Sequence, residues 1–237
     1  MTKSYKHSIC FSGSGHHYPW QVGVALYLQE NYDLSDCRFI GVSGGSFVAG
    51  MLAHDLSIKD FLATWVKDFY FYYGMNILGC YLITPKVIKV TSVKYMSEDD
   101  YKRANNRLLV SVSKFKNFWF HNELVSEFTS HCDMIDTLCA SSHVPFITTA
   151  SLFYPFRGQR CLDGGLTWNW IKLDQNTLII SPCRWNRLKN STYLLNALFG
   201  NTEKQYYTLV LQGYQDAKRN DSDFLKHGFI KKSCSKL

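Results

Sequence analysis

Phe39-Ile40-Gly41-Val42-Ser43-Gly44-Gly45-Ser46-Phe47-Val48-Ala49-Gly50 decides the reading of this chain. It opens as a short apolar strand, pinches at glycines around a serine, and continues as a small-residue helix. Gly41-x-Ser43-x-Gly45 at a strand-to-helix junction fits a nucleophile elbow, a tight turn that lifts a hydroxyl off the end of a sheet. A serine hydroxyl is a weak nucleophile until a base lies within hydrogen-bond reach. The stretch therefore sets two searches, one for the base and one for donors to an oxyanion.

Upstream, His7 to Ser12 reads as a strand that stops at Gly13-Ser14-Gly15. Trp20, Val22, Val24, Leu26, Tyr27 and Leu28 then recur at helical spacing. Cys37 to Val42 is the next strand, and a helix follows from about Ser46 to His54. This β-α-β-α order is the grammar of a parallel sheet. Adjacent parallel strands place Gly13-Ser14-Gly15 beside Ser43, where its backbone N–H groups at a helix start suit an oxyanion hole.

Downstream, Ile58 to Tyr73 predicts an aromatic-rich helix, Arg107 to Phe115 a strand, Phe118 to Phe120 a further strand, and Glu123 to Ala140 a helix. Thr177 to Ser181 reads as a strand and Thr202 to Lys218 as a helix. No repeat, low-complexity tract or linker interrupts residues 1–237, which read as one domain.

Two readings of the base compete. Ser43…Asp163…His227 follows the order serine, acid, histidine, but the fold that uses this order places several strands before its elbow. Only one β-α unit and a strand fit before Ser43. In the other reading, Cys161-Leu162-Asp163-Gly164-Gly165 sets a carboxylate at a glycine turn behind an apolar pair. A carboxylate tuned by partial burial serves as a general base near neutrality, giving a Ser43–Asp163 dyad.

The chain has 237 residues, 46% hydrophobic and 19% charged, the proportions of a soluble globular protein. Its net charge of +7 suits an anionic partner. The basic residues are scattered and form no nucleic-acid module, which argues for a phospholipid surface over nucleic acid. Eight cysteines without a C-x-x-C pair, and no apolar leader, predict a reducing, intracellular setting rather than secretion. No apolar run reaches the roughly 18 residues of a spanning helix. Ser235-Lys236-Leu237 matches a peroxisomal address, so the expected location is cytoplasmic or peroxisomal. His131, Cys132, Cys139 and His143 carry ligand-type side chains, but neighbouring residues on a helix diverge, and no metal is expected. The aromatic run from Phe61 to Tyr73 suits an acyl-chain lid, a membrane-facing surface or core.

Taken in order, these features resemble the patatin-like phospholipase family, nearest to its adiponutrin and adipose triglyceride lipase branch. Phe11-Ser12-Gly13-Ser14-Gly15 with Gln21-Val22-Gly23-Val24-Ala25 is similar to that branch's opening strand, loop and helix. Asn106-Arg107-Leu108-Leu109-Val110-Ser111-Val112 resembles its middle strand. Leu138-Cys139-Ala140-Ser141-Ser142-His143-Val144-Pro145-Phe146 resembles the segment that precedes the Asp-Gly-Gly turn. The resemblance implies a three-layer α/β/α fold with a mostly parallel central sheet. It implies Ser43 as nucleophile, Asp163 as base, the amides of Gly13, Ser14 and Gly15 as oxyanion donors, and no cofactor. The implied activity is hydrolysis of lipid acyl esters, phospholipid or acylglycerol, with peripheral contact at a membrane or lipid-droplet surface. His16, His17 and Tyr18 depart from the family pattern, as do Gly44 and Asn169-Trp170-Ile171 in place of Asn-x-Pro. These departures motivate an alternative, a catalytically weak or inactive lipid-binding or membrane-associated scaffold.

Overall fold

The structure, a computed structural model, describes residues 4–73, 84–186 and 201–232. Ser235-Lys236-Leu237, Cys80 and Cys234 lie outside the described residues. A seven-stranded sheet organises the rest. Its centre is parallel: β1 (His7–Phe11) lies between β2 (Cys37–Val42) and β7 (Leu178–Ile180), and β2 pairs in turn with β3 (Leu108–Lys116). The antiparallel pairs gather around β3, against β4 (Trp119–Val125) and β6 (Gln159–Asp163), with β5 (Tyr154–Phe156) on β6. The α/β class and parallel core expected from the β-α-β-α opening are what the chain adopts.

The sheet's faces are unequal. Ile9, Phe11, Phe39, Leu108, Val110 and Val112 point to the large core under α1 (Tyr18–Asn31), α2 (Gly44–Ala53) and α6 (His131–Ser141). Cys10, Ile40, Val42 and Leu109 point the other way and, among the described residues, are covered by Ile171 from the stretch after β6. The layers therefore run helices, sheet and a thinner third layer, within the three-layer α/β/α class. Between α2 and α6 lie α3 (Ile58–Tyr73), α4 (Thr84–Tyr95) and the short α5 (Asp100–Ala104). Phe61, Leu62 and Val66 of α3 are buried core residues; its side chains from Lys67 onward lie outside the described ones.

One sequence expectation fails. Residues 123–130 are not helical: Trp119–Val125 pairs along β3, and α6 starts only at His131, with the Ser130 side chain accepting from the Asp133 amide. The cross-strand ladder overrides local helix preference, as tertiary context often does.

Helix α1 carries apolar residues on every side because it runs between the sheet and α7 (Glu203–Arg219), which is followed by α8 (Asp221–Lys226). Glycines allow α1 and α7 to touch backbone to backbone. A Cβ at Gly23 would lie 2.0 Å from the Val210 carbonyl oxygen, and one at Gly213 would lie 1.9 Å from that of Trp20. The Trp20 indole N–H donates to Asp216 Oδ2 beside this crossing at 3.0 Å. Gly213→Val should therefore destabilise the fold by at least about 3 kcal/mol, because neither backbone can retreat from the new atoms. Urea unfolding followed by circular dichroism measures it.

Candidate active site

The sheet's pairing brings the two candidate residues together. On β3, Ser111 pairs with Val42 of β2, and the next residue, Val112, pairs with Asp163 of β6. Because β4 pairs with both Ser111 and Val112 on the opposite edge, β2 and β6 share one edge of β3. They approach along it from opposite directions and meet tip to tip. Ser43 is the first residue off one tip, and Asp163 ends the other.

Ser43 occupies φ 52°, ψ −129°, a backbone region that costs a non-glycine residue on the order of 1–3 kcal/mol. The surroundings hold it there. Its N–H donates to the buried Ser141 Oγ at 2.9 Å, and its carbonyl accepts from Ser46 N at 2.9 Å and Ser46 Oγ at 2.6 Å. The flanking glycines let α2 fold back over the strands. A Cβ at Gly41 would lie 2.2 Å from Ser46 Cα, and one at Gly45 would lie 2.4 Å from the carbonyl oxygens of Phe11 and Ser12.

Asp163 is held on four sides. Its N–H donates to the His143 carbonyl at 2.8 Å, and its own carbonyl accepts from Ser113 Oγ at 2.7 Å. Oδ1 accepts from Gly165 N at 2.8 Å, while Oδ2 accepts from Ser43 Oγ at 2.6 Å. Burial raises its carboxyl to about 6 despite these two hydrogen bonds, which pull the other way. The carboxylate is thus ionised near neutrality, yet a stronger base than a solvated one.

The loop Gly13-Ser14-Gly15 lies against the start of α2: a Cβ at Gly44 would meet Gly15 O at 2.8 Å and Ser14 Oγ at 2.9 Å. Gln21, fully buried, fixes this loop. Its Oε1 accepts from Ser14 Oγ at 2.9 Å, and its Nε2 donates at 3.0 Å to the carbonyls of both Ser12 and Ile180, clamping the ends of β1 and β7. Gly13 N–H donates to the Asn169 carbonyl at 2.9 Å. The Ser14 and Gly15 N–H groups have no acceptor among the described residues, and the Gly44 and Gly45 amides of α2 lack intrahelical partners by helix geometry. The loop N–H groups left open are therefore those of Ser14 and Gly15, whereas the Gly13 N–H is committed and its missing side chain supplies space. The Asn169 carboxamide fills that space: its Oδ1 is 2.2 Å from where a Gly13 Cβ would stand, and Ser43 Cβ is 3.7 Å from the same point.

The departures noted in the sequence have structural places. Burial, and then the neighbouring His17, push His16 down to about 4, so His16 is a neutral imidazole near neutrality. The His16 carbonyl accepts from Asn201 Nδ2. Tyr18 packs its ring edge-on against Phe47 and Tyr206, away from the loop amides. His227 is remote from the elbow. It caps α8 with Nδ1 on the Asp223 carbonyl, and the adjoining Gly228 lies against His7, at the end of β1 opposite Ser12. The triad that includes it is not assembled.

Gln21, Ser141 and Asn169 received no role from the sequence. Gln21 carried a signal, a polar residue inside an apolar helix, which is rare unless it is hydrogen-bonded. Ser141 and Asn169 carried none, since their contacts are long-range. Buried Cys10, Cys37 and Cys139 have thiols pushed up to about 12 by burial and are not nucleophiles. Among the described residues, no three His, Cys, Asp or Glu side chains converge to hold a metal ion, and no helix is long and apolar enough to cross a membrane.

Comparison with known proteins adds three relatives and a family. The family model described as patatin-like phospholipase matches residues 9–170. The chain is similar to human omega-hydroxyceramide transacylase, 30% identical over 172 residues covering 68% of this chain and 31% of that protein. It is 43% identical over 67 residues to human patatin-like phospholipase domain-containing protein 4, covering 28% and 25%. It is 26% identical over 243 positions to mouse 1-acylglycerol-3-phosphate O-acyltransferase Pnpla3, covering 90% and 58%. The chain spans less than two thirds of the length of each relative.

Proposed function

The chain belongs to the patatin-like phospholipase family, and from that premise we propose that it hydrolyses lipid acyl esters through Ser43 and Asp163. One observation carries the reading: Ser43 Oγ donates to Asp163 Oδ2 at 2.6 Å. Ser43 Oγ attacks the ester carbonyl carbon as Asp163 takes its proton. The carbonyl π electrons move onto oxygen, where the N–H groups of Ser14, Gly15 and the α2 N-terminus stabilise the charge. Collapse breaks the ester C–O bond, and the leaving alkoxide takes the proton back from Asp163. Water, deprotonated by Asp163, then attacks the acyl-serine, releasing a fatty acid and restoring Ser43.

A second acceptor is compatible with the same chemistry. Two relatives are named as a transacylase and an O-acyltransferase. An acceptor alcohol in place of water gives acyl transfer, and mass spectrometry of products from a lipid panel separates the two. The inert-scaffold reading meets a simpler test. A fluorophosphonate probe should label Ser43 stoichiometrically, as peptide mass mapping will read out. Absence of labelling in folded protein sinks the catalytic reading and leaves a lipid-binding scaffold.

A further inference from the structure

The β3–β4 hairpin is built against its own stability. Lys116 pairs with Trp119, so Asn117 and Phe118 form a two-residue turn. Both have positive φ, 53° and 65°, the signature of a type I′ turn, whose second position ordinarily takes glycine. A bulky residue there is an outlier. Phe118 is also 91% exposed and Trp119 74%. Neither ring pairs with another ring among the described residues, whereas Phe120 and Phe115 beneath them meet at a tilt with ring centroids 5.1 Å apart. Two costs, backbone strain and hydrated aromatic surface, thus bring no ring contact among the described residues.

Position and charge say what covers the tip. Strand β3 continues five residues past Ser111, its last partner on β2. At about 3.4 Å per residue the turn stands roughly 17 Å along β3 from the β2 tip that carries Ser43, and it clears the β6 pairing, which ends at Phe115–Arg160. At its foot, Thr167 Oγ1 bonds Ser113 Oγ and Asn122 Nδ2, each at 2.8 Å, and holds a second exposed pair, Trp168 and Trp170, beside Asp163. Lys114 is paired with Glu123, and Arg157 with Asp133. Lys116 and Arg160 have no acidic partner among the described residues, and Arg160 lies 5.8 Å over the Phe153 ring. Aromatic rings with unbalanced cations at their base match a lipid–water interface bearing negative headgroups.

We propose that the hairpin tip, Lys116 to Phe120, docks this protein on an anionic phospholipid surface. Phe118 and Trp119 enter the interface, and Lys116 and Arg160 meet the headgroup phosphates. The inference deepens the lipid-acting reading above, but its test is independent of catalysis. The full chain is sedimented with phosphatidylcholine vesicles, with and without phosphatidylserine, and assayed in parallel on a soluble short-chain ester. The wild type should bind, and more tightly when phosphatidylserine is present. Phe118→Gly with Trp119→Ser should raise the lipid needed for half-binding at least about tenfold. The same variant should melt about 2–4 °C higher, because glycine relaxes the turn, and should keep soluble-ester turnover. Lys116→Glu with Arg160→Glu should lose about tenfold, confined to phosphatidylserine vesicles.

A wild type that stays in the supernatant overturns the proposal, as does a Phe118→Gly, Trp119→Ser variant that binds like it. It is equally overturned if the wild type binds no vesicles but forms a dimer that this variant dissociates, since the tip then serves a second copy of the chain. Vesicle binding without soluble-ester turnover supports the docking surface while counting against the hydrolytic reading.

Discussion

Ser43→Ala should lower kcat/KM for ester hydrolysis by at least about 10⁴-fold while leaving the melting temperature within a degree or two of wild type. The size follows from the proposed role: the Ser43 hydroxyl is the group that donates to the Asp163 carboxylate, at 2.6 Å. The fold survives because its claims on residue 43 are made on the backbone. Ser141 accepts the N–H, and Ser46 donates twice to the carbonyl. Alanine keeps the Cβ and so inherits the same backbone strain without adding to it. Short-chain ester hydrolysis, fluorophosphonate labelling and a thermal melt form the test. Residual activity above about 1% of wild type would place the nucleophile elsewhere.

Asp163→Asn is the second large effect, and it moves activity and stability in opposite directions. Activity should fall by at least about 10³-fold, since an amide cannot take the serine proton. In the wild type the carboxylate must be ionised, so kcat/KM should fall about tenfold per pH unit below about 6. Stability follows from the same shift. The folded carboxyl sits at about 6 against an ordinary 3.8, so the native state holds this proton more tightly than the unfolded chain. The resulting stabilisation is full below 3.8 and is lost as pH rises through about 6. Above that, the buried charge costs the fold up to about 3 kcal/mol. Asparagine carries no charge, so the variant should be more stable than wild type at pH 7–8, and the difference should close near pH 4. A gain of equal size at both pH values would assign it to packing instead.

The elbow and its neighbours were legible in the sequence because their signals are local. Gly41 and Gly45 mark close backbone approach within a few residues of Ser43, and β1, α1, β2 and α2 follow one another as short periodic runs. The identity of the residue against Ser43 needed more. The short run before Ser43 and the Asp-Gly-Gly turn favoured Asp163 over His227, but the contact itself depends on the antiparallel docking of β6 on β3. The helix expected from Glu123 failed for the same reason, since β4 is defined by a partner strand. Gly13 changes meaning in three dimensions. Its glycine reads as a donor position, yet its N–H is bound to Asn169 and its missing side chain makes room for that residue's carboxamide. The hairpin tip was invisible as a special feature because exposure and positive φ at Phe118 are properties of the folded backbone.

The tip-to-tip meeting of β2 and β6 makes β3 a ruler. Among the described residues the two strands are not paired with each other; each takes its position from adjacent residues, Ser111 and Val112, of a third. The gap between hydroxyl and carboxylate is thus set by one peptide step of a pleated strand, about 3.3 Å. The loops that separate Ser43 from Asp163 in the chain can lengthen, shorten or diverge in sequence without altering that gap. A single residue gained or lost within β3 at this point would shift the carboxylate by a full step and turn every later side chain to the other face. Reaction geometry in this fold is therefore inherited through the length of one central strand, while the surrounding chain is free to vary the substrate it meets.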